Sequence, residues 1–288
     1  MLLTTREERR MTESGTAIEL VARFSPAVVV PSYNSGPIIL PTIDAIAQAA
    51  HPRPVLVVLD GCTDGSFDHL QSRNADAKVP VHLLALPENQ GKGAAILAAL
   101  DHSIVAGSSH VLTIDADGQH DATAIHAFFE MGEAHPHDLI MGQPLFQRDA
   151  PWIRRAGRRI SNFLCRIVTP GIELGDVLFG MRLYPVTTLR QAFSQTEFAR
   201  RFDFDAEIAV RMIWNGTLPR RLPVPVRYPR AEEGGISHYR YGRDNLCLAA
   251  MHIRLLAQFL TRRPPMRRAP DETHADRAAG PTRPPRLS

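Results

Sequence analysis

The feature that most constrains the fold of this chain is a series of short apolar runs that each end in a polar or glycine-rich segment. The polar segments span residues 31–36, 60–65, 89–93 and 115–120. Short apolar runs with helical sequence between them predict strands, and strands without polar alternation predict a parallel sheet covered by helices on both faces. Because ligands bind beyond the carboxyl ends of such strands, these segments predict a nucleotide-type site.

The segment 111–120 reads Val-Leu-Thr-Ile-Asp-Ala-Asp-Gly-Gln-His. Asp115 and Asp117 lie two residues apart at the end of an apolar strand, so both carboxylates should project from the same face. Together with Gln119 they offer the hard oxygen ligands that Mg²⁺ and Mn²⁺ prefer. A turn followed by a helix that begins at Asp121 explains the same residues without a metal, so the segment alone leaves both interpretations open.

The same patterns outline the elements of the fold. Strands are predicted near residues 27–30, 55–59, 81–86, 110–114, 138–141 and 177–184, and an extended segment punctuated by prolines near 219–228. Helices are predicted near residues 37–50, 66–73, 94–106, 121–134, 151–168, 205–214 and 244–260. The helix at 151–168 is amphipathic and rich in arginine, and the helix at 244–260 is too short to span a bilayer but long enough to lie on one.

Composition limits the kind of protein that this chain can be. With 288 residues, 44% of them apolar and 22% charged, the chain can form an ordinary globular core, as one domain or two. The cysteines Cys62, Cys165 and Cys247 include no CxxC pair, so we expect a reducing cytoplasm and neither a disulfide framework nor a zinc site. The arginine clusters lack the interleaved aromatic residues of nucleic-acid-binding proteins, so no nucleic-acid partner is expected.

The strand-end segments together resemble the family 2 glycosyltransferases of the GT-A fold. The resemblance is carried by VVVPSYNSG (28–36), VVLDGCTDGS (57–66), PENQGKGAAI (87–96) and TIDADGQHD (113–121), and extended by GMRLYP (180–185), RFDFDAEI (201–208) and GGISHYRYGRDN (234–245). Within the family the chain is similar to the dolichyl-phosphate and polyprenyl-phosphate sugar transferases. Its last motif also resembles glycosyltransferases of bacterial clusters that make aryl polyenes or related acyl lipids.

The resemblance covers about residues 26–260 and implies an α/β fold. We expect a mostly parallel, Rossmann-like GT-A sheet with helices on both faces and an amphipathic helix at its C-terminal end. A nucleotide-sugar half would span about 26–145, and an acceptor half about 146–260. Residues 1–25 and the Pro/Arg-rich tail 261–288 are expected to be disordered.

The resemblance also assigns a nucleotide-sugar donor to the strand ends. The residues that it implies for donor binding are Pro31, Tyr33, Asn34, Asp60, Lys92, Asp115 and Ala116. Tyr33 would stack on the base, Asp60 would accept a hydrogen bond from the base ring N–H, and Lys92 would neutralise a donor phosphate. Leu59 and Cys62 replace an Asp and a Ser that are usual in the family, so we expect looser recognition of the base.

A divalent metal, Mg²⁺ or Mn²⁺, would lie beside the donor phosphates. The resemblance implies Asp117 and Gln119 as ligands, and Asp115 as a contact of either the metal or the nucleotide ribose. His238, where relatives often carry Lys, could complete the metal shell or bind a phosphate. The metal, held by Asp117, would stabilise the charge that develops on the leaving diphosphate, which is the main catalytic demand of sugar transfer. His120 is either a neighbour that supports the metal ligands or a turn residue.

Two kinds of acceptor remain open. A hydroxyl acceptor needs a general base, and Asp205 is the candidate, although acidic residues there also simply favour a helix N-terminus. A phosphate acceptor is already an anion and needs cations, for which Arg155, Arg159 and Arg182 are the candidates. The arginines of the predicted amphipathic helix could equally form a solvated surface or one that faces an anionic membrane.

The sequence therefore predicts an enzyme, a metal-dependent inverting hexosyltransferase. It would move a sugar from a nucleotide-sugar donor to a lipid-linked acceptor, a polyprenyl phosphate or a glycolipid, at the inner face of the cytoplasmic membrane. The protein is expected in the cytoplasm, either free or peripheral at the anionic membrane surface. The alternatives are a nucleotidyltransferase, which would ordinarily show a glycine-rich phosphate loop after its first strand, and a nucleotide-binding scaffold with a degenerate site.

Overall fold

The computed structural model of the chain describes residues 24–145, 152–226 and 241–262, apart from the side chains of Ser103, Tyr241, Arg262 and residues 152–156. The strands are β1 (Pro26–Ser32), β2 (Val55–Asp60), β3 (His82–Leu86), β4 (His110–Thr113), β5 (Leu139–Leu145), β6 (Arg182–Pro185) and β7 (Pro219–Pro225). The helices are α1 (Ile39–Ala50), α2 (Ser66–Asp76), α3 (Lys92–Asp101), α4 (Ser103–Ala106), α5 (Ile125–Ala134), α6 (Trp152–Val168), α7 (Val186–Ser194), α8 (Phe204–Trp214) and α9 (Tyr241–Arg262). Short 3₁₀ turns at Gly36–Ile38 and Ala122–Ala124 lead into α1 and α5.

These strands form one sheet in the order β3-β2-β1-β4-β6-β5-β7. β1 pairs in parallel with β2 and β4, β2 pairs in parallel with β3, and β5 pairs in parallel with β7, whereas β6 is antiparallel to both β4 and β5. The predicted α/β fold with a mostly parallel sheet is therefore confirmed. β6 and β7 of the acceptor half belong to the same sheet as the strands of the nucleotide-sugar half. The division into two halves stays a prediction.

Two apolar cores cover the two faces of the sheet. Ala27 and Val29 of β1 face the core that contains the apolar sides of α3 and α8. Val28 and Val30 face the other core, which contains the apolar sides of α1 and α5. Consecutive side chains of a strand point to opposite faces, so a strand that is covered on both faces is apolar throughout, as the sequence pattern indicated.

The segment 177–184, predicted as a strand, becomes one only at Arg182. At the start of this segment the backbone bonds to a side chain, since the N–H of Val177 donates to Asn162 Oδ1 at 2.9 Å. Only at Met181, whose carbonyl oxygen accepts the N–H of Gly142 at 3.0 Å, does it bond to β5. The alternation of apolar and polar residues carries no sign of such a bond, so the predicted strand began too early.

The predicted helix 94–106 consists of two helices, α3 and α4. His102 separates them with extended backbone angles, and its ring Nδ1 accepts the N–H of Ile104 at 3.3 Å, which starts the second helix. This side-chain cap is the physical reason for the interruption.

Several expectations concern residues outside the described ranges. The disorder expected for 1–25 and 261–288 falls almost wholly there, as does the predicted metal ligand His238. In the part of the chain that the structure describes, no helix is long and apolar enough to cross a membrane.

Candidate active site

The polar segments that follow β1 and β2 bind each other at the carboxyl end of the sheet. Asn34 Oδ1 accepts the N–H of Thr63 at 2.7 Å. The thiol of Cys62 donates to the carbonyl oxygen of Ser32 at 3.5 Å, and its sulfur accepts the N–H of Asn34 at 3.4 Å. Burial raises the pKa of the Cys62 thiol, so it stays protonated, but a thiol bonds more weakly than the serine hydroxyl usual in relatives.

The residues assigned to the nucleotide lie around this junction. Pro31, Tyr33 and Asn34 are half-buried, so each has surface that a ligand can reach. Ala116 is buried in the core beside α1, so its side chain is not available to a ligand. The contacts of these residues with a nucleotide stay predictions.

Asp60 anchors the segment that leads into α3. Its side chain is buried, Oδ1 accepts the N–H of Gln90 at 2.9 Å, and Oδ2 accepts the N–H of Gly91 at 2.7 Å. A bond from the nucleotide base, as the resemblance implies for Asp60, would have to be a second one to an oxygen that already accepts a backbone N–H. The structure therefore adds a role for Asp60, which is to position the residues just before Lys92.

The glycines on either side of Lys92 make room for another part of the chain. A Cβ on Gly91 would lie 2.5 Å from the carbonyl oxygen of Arg200, and its φ of +103° is one that L residues rarely adopt. A Cβ on Gly93 would lie 2.9 Å from Phe204 Cβ and would overlap the carbonyl group of Ala199. The two glycines therefore allow the loop before α8 to pack against α3, a role that the sequence pattern did not indicate.

Gly93→Ala is expected to lower the free energy of unfolding by about 1–3 kcal/mol, because the added methyl group pushes the loop before α8 away from α3. Urea denaturation followed by circular dichroism measures this change. Gly107→Ala is the matched control, since a Cβ there has nothing within 4 Å. Equal stabilities of the two variants would contradict the packing role of Gly93.

Lys92 forms ion pairs with one residue that the sequence assigned to the donor and with another that it assigned to the acceptor. Its Nζ lies 2.8 Å from Asp115 Oδ1 and 2.8 Å from Asp205 Oδ2. Although burial disfavours the ammonium, the two carboxylates raise the pKa of Lys92 above its ordinary value, so it stays charged. Gly180 lies against this ion pair, where a Cβ would be 2.5 Å from Nζ. Nothing in the sequence indicated that Lys92 bridges the two carboxylates.

Asp115 and Asp117 follow β4, as predicted, in different electrostatic surroundings. Burial opposes the charge of Asp115, but the positive charge of Lys92 outweighs it and holds the pKa of Asp115 below its usual range. Burial and the nearby charge of Asp115 raise the pKa of Asp117. His120 supports Asp115, since its Nδ1 accepts the N–H of Asp115 at 3.3 Å and its Nε2 lies 3.9 Å from Oδ2.

A divalent metal fits the chemistry of these two carboxylates. Asp117 Oδ1 accepts the N–H of Gln119 at 3.0 Å, which orients the carboxylate. Within residues 24–145, 152–226 and 241–262, no three His, Cys, Asp or Glu side chains are grouped closely enough to hold a metal alone. Asp115 and Asp117 would therefore supply two ligands, and Gln119, donor phosphates or His238 would have to supply the others.

Arg182 is wrongly assigned to the acceptor. Its side chain is 0% exposed, and its guanidinium donates to the carbonyl oxygens of Phe179 at 2.9 Å, of Asp176 at 3.3 Å and of Asp205. A buried guanidinium whose donors go to backbone carbonyls cannot reach an acceptor. Arg182 instead holds the segment 176–180 against the start of α8.

Of the acidic residues around the start of α8, only Asp205 belongs to the site. Asp203 accepts two backbone N–H groups of the preceding loop. Glu207 is wholly buried and accepts hydrogen bonds from Thr196 and two arginines. Asp205 is bound to Lys92 through Oδ2, whereas its Oδ1 is buried and has no hydrogen-bond partner among the residues described.

A model of the family described as glycosyl transferase family 2 matches residues 27–193, which is more than half of the chain. The chain belongs to glycosyl transferase family 2. It is therefore a glycosyltransferase, and the resemblance drawn from its motifs is confirmed.

Relatives and solved structures agree with this family. The polyprenol monophosphomannose synthase of Mycolicibacterium smegmatis is 26% identical over 214 residues, which cover 72% of this chain and 78% of the relative. The undecaprenyl-phosphate mannosyltransferase of Micrococcus luteus is 25% identical over 210 residues, which cover 72% of this chain and 84% of the relative. The crystal structure of glucosyl-3-phosphoglycerate synthase from Mycobacterium tuberculosis with UDP has a TM-score of 0.57 at 16% identity, over 91% of this chain and 85% of that one. The likeness to that structure supports the fold alone.

This family 2 glycosyltransferase also has a cationic cavity between α6 and the ends of β5 and β7. The cavity has a volume of about 430 Å³, and its polar lining includes Gln143, Arg159, Asn162, Arg166, Glu173, Asp176 and Arg221. Arg221 pairs with Glu173 at 2.9 Å, whereas Arg159 and Arg166 form no ion pair with a described side chain. The predicted acceptor residue Arg159 therefore lines a cavity, while the side chain of Arg155 lies outside the described part.

The segment 176–180 connects this cavity to the ion pair of Lys92 in the glycosyltransferase. Asp176 lines the cavity at one end, and Gly180 lies against Nζ of Lys92 at the other. Arg182 binds the carbonyls of this segment and of Asp205, so it links the cavity wall to the start of α8.

Proposed function

We propose that this glycosyltransferase moves a sugar from a nucleotide-sugar donor, held with Mg²⁺ or Mn²⁺, to a lipid-linked acceptor with inversion at the anomeric carbon. The observation that carries the proposal is the ion pair of Lys92 with Asp115 and Asp205, because it brings the end of β4 next to the start of α8. The segment 176–180 runs from the arginine-lined cavity, which Asp176 lines, to the ion pair of Lys92, against which Gly180 lies. A donor at β4 and an acceptor beside α6 would therefore meet near Lys92.

The donor diphosphate would lie at the end of β4. The metal, held by Asp115, Asp117 and Gln119 together with His238, would neutralise the charge that develops on the leaving nucleoside diphosphate. The ammonium of Lys92 would offer those phosphates a second positive charge. Burial and the charge of Asp115 raise the pKa of Asp117, and a divalent ion bound by both carboxylates would offset the repulsion between them.

The surroundings of Asp205 favour a phosphate acceptor over a hydroxyl. Its Oδ2 lies 2.8 Å from Nζ of Lys92 and its side chain is 6% exposed, so it is poorly placed to remove a proton from an incoming hydroxyl. A phosphate monoester is already an anion. One of its oxygens can bond to the anomeric carbon while the bond from that carbon to the diphosphate oxygen breaks, and no proton has to move.

The cavity beside α6 would hold the phosphate of the acceptor. Arg159 and Arg166 line it without a carboxylate partner among the described side chains, so their donors can bind phosphate oxygens. The two relatives above are named for polyprenol monophosphomannose synthesis and for undecaprenyl-phosphate mannosyl transfer, which is the same chemistry. We therefore expect a polyprenyl phosphate as acceptor and a cytoplasmic protein that works at the inner face of the membrane.

The double variant Arg159→Ala/Arg166→Ala is expected to raise the KM for a polyprenyl phosphate by about tenfold or more, with a smaller change in kcat. Each substitution removes charge-assisted hydrogen bonds to the phosphate. Initial rates of transfer from a radiolabelled nucleotide sugar measure both constants. Arg190→Ala is the control, since Arg190 pairs on the surface with Asp101. Transfer to a glycolipid hydroxyl but not to polyprenyl phosphate would overturn the phosphate acceptor.

A further inference from the structure

The helices α6 and α9 lie side by side on the outside of the protein. They are in contact, and His252 of α9 forms a hydrogen bond with Ser161 of α6 at 3.2 Å. Each helix buries one side, since Cys165 of α6 and Met251 and Leu255 of α9 belong to the same apolar core. Their outer sides are therefore neighbours on one face of the molecule.

The outer side of α9 is apolar from Leu246 to Leu260. The exposed residues between 246 and 260 are Leu246, Ala249, Ala250, Ile253, Leu256, Ala257 and Leu260. They recur every three or four residues and form one stripe about 20 Å long. Leu246, Ile253 and Leu260 are 73%, 70% and 66% exposed. A stripe of large aliphatic side chains without a charge marks a surface that contacts something other than water.

The outer side of α6 continues this apolar surface and adds positive charge. Ile160, Phe163 and Ile167 are 62%, 61% and 42% exposed and lie on one side of the helix. The exposed residues Arg159 and Arg166 lie on the same outer side and also line the cationic cavity, as Phe163 does. The cavity thus opens at the edge of the apolar surface.

We infer that the outer sides of α6 and α9 form one lipid-docking face that lies on the surface of an anionic bilayer. The aliphatic stripe would enter the boundary between headgroups and acyl chains, while Arg159 and Arg166 would meet anionic headgroups. A phosphate in the cavity would then have its polyprenyl chain beside the stripe and within the bilayer. We choose an anionic bilayer over a second copy of the chain for two reasons. The positive charges of Arg159 and Arg166 would attract anionic headgroups but repel another basic chain, and the proposed function has a lipid-linked acceptor.

Binding of the full-length chain to vesicles of phosphatidylcholine, with and without phosphatidylglycerol, tests this face. We expect the wild type to sediment with the anionic vesicles, and Ile253→Ser/Leu260→Ser to bind them about tenfold or more weakly, because two exposed aliphatic side chains are lost. Phe67→Ser is the matched control, since Phe67 is an exposed apolar residue of α2. It should bind as the wild type does.

The same samples separate a failure of the docking face from a failure of the proposed function. Both α9 substitutions are at exposed positions, so the double variant should keep the wild-type Tm and the wild-type rise of Tm with nucleotide. Wild type that does not bind anionic vesicles, or that binds them no better than Ile253→Ser/Leu260→Ser, would overturn the inference. A wild-type dimer that this variant dissociates, without vesicle binding, would assign the face to a second copy of the chain.

Discussion

Asp117→Asn is expected to lower kcat/KM for sugar transfer by at least about a hundredfold, because removing one group that stabilises charge in the transition state has effects of this size. The asparagine keeps the shape of the side chain and can still accept the N–H of Gln119, which lies 3.0 Å from Asp117 Oδ1. It loses the negative charge that a divalent ion requires. Initial rates at saturating Mg²⁺ or Mn²⁺ measure the loss.

The control for this substitution is Asp121→Asn, which makes the same chemical change four residues further along the chain. Asp121 Oδ1 accepts the N–H of Thr123 at 2.9 Å and caps the 3₁₀ turn before α5. The control should therefore keep near wild-type rates. If Asp117→Asn were as active as Asp121→Asn, Asp117 would have no part in binding the metal.

Glu207→Ala is expected to destabilise the protein by about 3–5 kcal/mol, since it breaks a buried network of charges. Glu207 is wholly buried and accepts hydrogen bonds from Thr196 at 2.8 Å, from Arg211 at 2.8 and 3.0 Å, and from Arg254. Its removal leaves the guanidinium of Arg211, itself only 2% exposed, without the carboxylate that compensates its charge. Chemical denaturation measures the free energy of unfolding.

The matched control for the network is Asp101→Ala. Asp101 also pairs with an arginine, Arg190 at 2.7 Å, but the two side chains are 69% and 40% exposed. An exposed pair contributes about 0–1 kcal/mol, so this variant should stay close to the wild type. Equal stability of Glu207→Ala and Asp101→Ala would contradict the importance of the buried network, which ties α9 to α8 and so to Asp205.

Much of the fold could be predicted because parallel sheets impose a simple pattern on the sequence. The apolar runs of β1, β2 and β4 and the polar residues that follow them indicated both the sheet and the edge at which Asp60, Asp115 and Asp117 lie. Both features depend on residues that are close to one another along the chain. A buried parallel strand is a continuous apolar run, and the site residues follow directly at its carboxyl end. The acceptor side has no comparable pattern.

The residues that sequence reasoning missed depend on contacts between distant parts of the chain. Arg182 belongs to a family motif, yet its guanidinium is buried among the carbonyls of other segments. At Gly93 the loop at Ala199 lies so close that it leaves no room for a Cβ. On α9, Met251 and Ile253 are both apolar, but the structure places Met251 in the core and Ile253 on the surface. Periodicity shows that a helix is apolar, but it does not show which side faces the core.

The measurement that tests most directly whether this glycosyltransferase binds a nucleotide through a metal is Tm with UDP, GDP and CDP, each with and without Mn²⁺. A ligand that binds only the folded state raises Tm by mass action. We expect one nucleotide to raise the Tm of the wild type only when Mn²⁺ is present, and to lose this effect in Asp117→Asn. No rise with any nucleotide, or an equal rise in Asp117→Asn, would contradict a metal-bound donor at Asp115 and Asp117.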